Sequence, residues 1–343
     1  MKRLVTMSIA LVLVTAACSS SDGSSDDSTS PTPSDLAAQV ASYELLAGTP
    51  NRFLVGLFTP EDGVVSYGTV DMSFSYLGDG SGSPAAGPAA TGSFILVPPE
   101  SGHSHTGESP DEHTHVDESA SPATETDIED ALARSPEVTQ PDMARGVYQA
   151  PDVLFGQAGV WQVDVSVELD GSTQTASANF NVAEDAAYPA PGQAPPSSDN
   201  PVVRTPGARP AEVDSRATDG WSSVPDPELH QVSIQDALRA EKPLVVVIST
   251  PLYCQSRFCG PITDQIGELT ADYGQVADFV HLEVWKNYQK KVVNQEAADW
   301  VYRNDEITEP WVFLVGSDGK IADRWANVLD IQELRQELDA MSG

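Results

Sequence analysis

The chain has 343 residues, with 51 acidic and 18 basic side chains and a formal net charge of −33. That balance excludes nucleic acid or an anionic membrane surface as a partner held by charge, and no run of Lys or Arg offsets it locally. The length gives room for two modest cores plus linkers, and the excess charge reads as solubility.

At the start, Lys2 and Arg3 precede an apolar run from Leu4 to Val14, then Thr15-Ala16-Ala17-Cys18. This resembles a bacterial lipoprotein signal, with Thr15 where the pattern usually has Leu, Ile or Val. The resemblance implies that residues 1–17 are a signal peptide and that Cys18 carries lipid. It places the protein at the cell membrane, lipid-anchored on the extracytoplasmic face. Residues 18–47 read as a flexible tether, because Ser19 to Ser34 is a polar tract. Within it, Leu36, Val40, Tyr43 and Leu46 recur at helical spacing and predict a short helix over 34–46. No later run reaches the roughly 18 apolar residues that a spanning helix needs.

From Asn51 the period changes to that of strands. Short strands are predicted over 52–58, 63–67, 70–76, 93–97, 146–148, 161–169 and 173–182, separated by Gly, Pro and Asp turns. Trp161, Val163, Val165, Val167 and Leu169 alternate with polar residues, the pattern of an antiparallel strand with one face in a core. Asp170-Gly171 signals a tight hairpin. Residues 48–183 therefore read as an all-β immunoglobulin-like sandwich. It carries an insert, 98–141, with few apolar residues and the histidines His103, His105, His113 and His115 among several carboxylates. Imidazoles spaced by two along a loop converge on copper, nickel or zinc. The alternative is a disordered acidic loop in which the histidines are incidental.

Residues 184–226 are rich in Pro, Ser, Asp and Ala and read as a semi-extended interdomain linker. A second domain, 227–343, follows. A helix capped by Ser233 precedes the apolar strand Leu244 to Ile248, whose unbroken run suits a central strand covered on both faces. Next come a helix over 261–273, a strand over 279–284, a helix over 294–300 and a strand over 311–315. A turn at Ser317-Asp-Gly319, a strand over 320–325 and an amphipathic helix over 331–341 complete the order αβαβαββα. If Cys18 is lipidated, Cys254 and Cys259 remain as an isolated pair, either a structural disulfide or a redox couple.

Three features of 228–343 resemble the thioredoxin-like superfamily. They are the strand running into a cysteine at a helix start, Val247-Ile-Ser-Thr-Pro-Leu-Tyr-Cys254; Glu309-Pro310 before the strand Trp311 to Val315; and the hairpin Leu314-Val-Gly-Ser-Asp-Gly-Lys-Ile321. The resemblance implies an α/β thioredoxin-like fold and a cis-proline at Pro310 that presents its backbone to substrate. It makes Cys254 the nucleophile and Cys259 the resolving partner, and it implies thiol–disulfide exchange on the thiols or disulfides of exported proteins. Four residues separate the cysteines where the family has two, and Ile248 stands where the family keeps a buried acid. Sco-type copper chaperones share the fold with a cysteine pair and a distal histidine, so copper binding or delivery is the alternative, with His281 as the histidine. A non-enzymatic surface scaffold with a structural disulfide is the third possibility.

Overall fold

The computed structural model describes residues 36–342 apart from 62, 79–82, 98–131, 142–143, 218–219 and 255. The first half is built from β1 (Ala37–Val40), β2 (Pro50–Phe58), β3 (Val64–Ser66), β4 (Thr69–Gly78), β5 (Ala85–Val97), β6 (Glu137–Thr139), β7 (Arg145–Leu154), β8 (Gly159–Leu169) and β9 (Ser172–Val182). They form one sheet in the order β6-β3-β2-β7-β5-β4-β8-β9, with β1 attached to β2. The alternation read in β8 is real: Trp161, Val163, Val165, Val167 and Leu169 are buried and their neighbours are not. Asp170 and Gly171 both take positive φ, 50° and 77°, which joins β8 to β9 with the twist a two-residue hairpin needs. The sheet folds back on itself in a sandwich-like way. The amide of Ala183, just after β9, donates to Leu45 O at 2.8 Å, and Ala47 N donates to Ala183 O at 2.9 Å. Enclosed is an aromatic core in which Phe53, Phe74, Phe155 and Phe180 pack mainly edge to face.

Two expectations fail here. No helix spans 34–46 among the described residues; Ala37–Val40 is strand β1, paired antiparallel with Phe58 back to Val55. Four apolar residues at helical spacing are a weak signal beside an open sheet edge, and the ladder along β2 wins. Leu36 and Leu45 are buried, so residues 36–47 are folded structure and not tether. The sheet also resumes inside the expected insert, because β6 pairs with β3.

In the second half, β10 (Leu244–Ser249) lies between β11 (Asp278–Glu283), which is parallel to it, and β16 (Trp311–Val315), which is antiparallel. With β17 (Ile321–Ala326) the order is β11-β10-β16-β17. Every residue of β10 is buried, as its apolar run requires. Val246 and Ile248 point into one core with Trp300, Trp311 and Phe313; Val245 and Val247 point into another with Ile262, Ile266, Leu334 and Leu338. The helices that cover the sheet are α1 (Ile234–Arg239), α2 (Cys259–Tyr273), α3 (Gln295–Val301) and α4 (Ile331–Met341). The Ser233 hydroxyl accepts from Asp236 N at 3.2 Å and so caps α1 as expected. Two short ribbons escape the sequence pattern: β12 (Trp285–Asn287) with β13 (Val292–Val293), and β14 (Tyr302–Arg303) with β15 (Glu306–Ile307). Among the described residues no helix is long and apolar enough to cross a membrane.

The Pro-rich stretch 184–226 is not a spacer. Gly192 N donates to Ile321 O and Ile321 N to Gln193 O, at 2.8 and 2.9 Å, so it runs along β17. Asn200 Oδ1 takes the free amide at the start of α1, Ile234 N, at 2.8 Å. Ser198 accepts from the Trp300 indole at 3.0 Å. Its small polar residues satisfy a helix start and a buried indole that would otherwise lack partners.

Residues 34–343 form one compact unit. Arg52 of β2 reaches Asp323 Oδ2 and Glu333 Oε2, both at 2.5 Å, and Gln149 of β7 donates to Glu333 Oε1 at 2.7 Å. Leu54, Val97, Val147 and Val328 close a small apolar seam between the halves.

Candidate functional site

Strand β10 delivers the chain into a loop that returns at α2. Cys254 and Cys259 are joined by a disulfide with a Cα–Cα distance of 5.9 Å, within the reach of such a bond. The two sulfurs differ in setting. Cys259 is fully buried in the first turn of α2, whereas Cys254 is half-buried in the loop, its Sγ 3.3 Å from Ser256 Oγ. The sequence resemblance put Cys254 at the helix start, but α2 begins at Cys259. The unpaired amides and positive dipole end of the helix therefore act on the buried sulfur, and the half-exposed Cys254 is the sulfur open to attack. Around the loop, Tyr253 stacks on Tyr288 with ring centroids 4.0 Å apart, and Lys291 Nζ sits 3.5 Å from the Tyr288 centroid. Phe258 packs against the core under α2 and against the seam between the halves. Both aromatics flanking the cysteines thus pack the loop.

The Glu309–Pro310 bond is cis. Proline has no amide proton, and the Pro310 carbonyl accepts from Asn327 N at 2.8 Å, so its one polar backbone group is engaged within the chain. The preceding carbonyl, of Glu309, accepts from the Tyr43 hydroxyl at 2.5 Å, with Asn327 Oδ1 3.0 Å from the same hydroxyl. Asn327 Nδ2 in turn donates to Ala41 O at 3.0 Å. Residues 39–43 therefore lie as a strap from the first half beside the disulfide loop. Clefts of about 620 and 550 Å3 flank it, both bordered by Ser256 and Asn327.

Two carboxyls are buried behind the loop. Burial, reinforced by Glu283, pushes the Glu309 pKa up to about 8, so Glu309 is mainly neutral at pH 7 and does not oppose a nearby thiolate. Burial also raises Glu283, which accepts from Thr250 Oγ1 at 2.6 Å. Ile248, where the family keeps its acid, is an ordinary core residue.

A second cluster lies at β11. His281, mid-strand and fully buried, faces Asp214 from the Pro-rich stretch and His230 from a one-turn 3-10 helix, Pro227–His230. His281 Nδ1 is 3.5 Å and His230 Nε2 3.7 Å from Asp214 Oδ2. Arg216 pairs with Asp214 at 2.8 Å, Asp226 at 2.7 Å and Asp264 at 2.6 Å. Burial favours the neutral form of His230, while Asp214 draws His281 toward its protonated form against the effect of its own burial. His281, the histidine of the copper alternative, is a core residue, and the two residues it meets, Asp214 and His230, are not singled out by the sequence. The only signal for Asp214 is an acid in a stretch whose composition reads as semi-extended interdomain linker.

Cys18 and His103, His105, His113 and His115 lie outside the described residues. No family model, no curated protein and no solved structure matches this chain.

Proposed function

We propose that the second half is a thioredoxin-like domain that exchanges thiols and disulfides with exported proteins, anchored to the membrane through lipid on Cys18. The observation that carries this is a disulfide with one half-exposed and one buried sulfur, at the junction of a central strand and a helix. The sheet order β11-β10-β16-β17, with β10 parallel to β11 and antiparallel to β16, supports the fold, as does the cis bond before β16. The terminal Lys2-Arg3, the apolar run and Ala17-Cys18 support the location.

The chemistry follows from the two settings. A substrate thiolate attacks Cys254 Sγ, a bond forms between the two sulfurs, and the Cys254–Cys259 bond breaks with its electron pair leaving on Cys259. Positive potential at the start of α2 favours that leaving thiolate. A second substrate thiolate then attacks the substrate sulfur, releases Cys254 as thiolate, and leaves substrate oxidised and protein reduced. In the opposite direction Cys254 attacks a substrate disulfide and Cys259 resolves the mixed species. A peptide that pairs with the Glu309 carbonyl displaces Tyr43.

The test is trapping. Cys259→Ser is expected to accumulate mixed disulfides on Cys254 with disulfide-bearing peptides, each releasing the peptide's other sulfur as thiolate, and Cys254→Ser to accumulate none and to lose turnover. A pair that resists reduction to below about −300 mV and traps nothing is a structural staple, and the proposal then fails.

A further inference from the structure

We propose that Asp214, His230 and His281 bind a divalent metal ion of the zinc class. The site contains neither cysteine and goes beyond the exchange reaction.

The geometry is that of ligands with their ion between them. The three donor atoms lie within 4.8 Å of one another. The separations of 3.5 and 3.7 Å from Asp214 Oδ2 to the two imidazoles are longer than the ~2.7–3.2 Å of a hydrogen bond. Zinc bonds of about 2.0–2.1 Å at tetrahedral angles hold neighbouring donor atoms roughly 3.4 Å apart, close to the two separations from Asp214, while the imidazole donors lie within 4.8 Å of each other. Both ring nitrogens of His230 and Nδ1 of His281 are buried without a hydrogen-bond partner. Buried imidazole nitrogens without a partner are costly unless something else meets them, and a bound ion meets one on each ring.

The surroundings hold the donors in place. His281 Nε2 lies 3.2 Å from the Ser249 carbonyl and 3.1 Å from its hydroxyl, the outer contact that fixes which nitrogen of a ligating imidazole faces the ion. Asp214 Oδ1 accepts from the Arg216 amide at 2.8 Å and from its Nε at 3.1 Å. Two imidazoles and one carboxylate suit zinc, whereas Cu(I) prefers sulfur ligands and calcium and magnesium prefer oxygen.

The experiment uses the full chain with His103, His105, His113 and His115 all replaced by Asn, so that the loop cannot contribute. Metal-free protein is titrated with Zn(II) against a chromophoric chelator and, separately, with Co(II). One equivalent of Zn(II) per chain is expected, together with the visible bands of a tetrahedral Co(II) site. On the same background, His230→Gln and Asp214→Asn are expected to weaken Zn(II) roughly a hundredfold or more and to remove those bands. Circular dichroism identifies a variant that fails to fold, and the parent titration then decides. Failure of the parent to take up one equivalent overturns the proposal. So does undiminished affinity in both folded variants.

Discussion

Replacing Glu309 with Gln isolates the effect of one buried acid on pH-dependent stability. The Glu309 carboxyl sits before the cis bond, and its pKa rises from an ordinary 4.5 to about 8, chiefly through burial. In the unfolded chain the group loses its proton near 4.5; in the folded chain it keeps it until about 8. Between those values the folded state binds the extra proton, so stability falls as pH rises. Below the window both states are protonated and the group contributes nothing. Above it, both are ionised and the whole shift, 3.5 units at about 1.36 kcal/mol each, opposes folding by roughly 5 kcal/mol. Glutamine keeps the shape and cannot ionise. Urea denaturation of the oxidised protein at pH 5 to 9 should therefore show wild type losing more stability than Glu309→Gln, with the two curves diverging toward pH 8. Glu283 stays in both proteins, so its own slope is common to the two curves apart from its coupling to Glu309. Parallel curves would refute the assignment of a neutral, buried Glu309.

Tyr43→Phe removes the hydroxyl that holds the Glu309 carbonyl. It should cost about 1–2 kcal/mol in urea unfolding and speed reduction of the disulfide by a peptide thiol up to tenfold, with little change for a small thiol; equal peptide rates in the two proteins would count against the strap. Arg216→Met removes the cation that pairs with Asp214, Asp226 and Asp264 and should destabilise the fold by roughly 3–5 kcal/mol in urea unfolding at neutral pH. Gly146→Ala drives a methyl to 2.1 Å from the Ile95 carbonyl and should lower stability by about 3 kcal/mol through displacement of β5 from β7; near-wild-type melting would mean that the ladder yields easily.

Most strands were legible because their cause is local. The alternation through β8 and the unbroken apolar run of β10 each name their own environment, and the structure agrees with both. Residues 34–46 and 184–226 were misread because their cause is distant. Nothing within Ala37–Val40 says that an open edge on β2 awaits it, and nothing in a run of Pro and Ser says that Asn200 will receive the first amide of α1. The cysteine pair was visible as chemistry, but which sulfur takes the helix end depends on the turns of a loop with an unusual spacing. Asp214 and His230 were invisible for the same reason: His281 meets them only through tertiary packing, Asp214 from a stretch that composition marked as linker and His230 from the turn after it.

The strap has a consequence for the order of events during folding. Cys254 and Cys259 are five residues apart and meet by closing a very short loop. Tyr43 must find Glu309 across 266 positions, and Arg52 must find Glu333 across 281. Closing such long loops is entropically costly and slow, so these contacts belong to the last stage of assembly. A chain emerging amino end first exposes its newly formed disulfide loop before the strap can settle beside it, because residues 309 and 327 arrive last. In the interval between those two steps the loop is open to other thiols without any strap to displace.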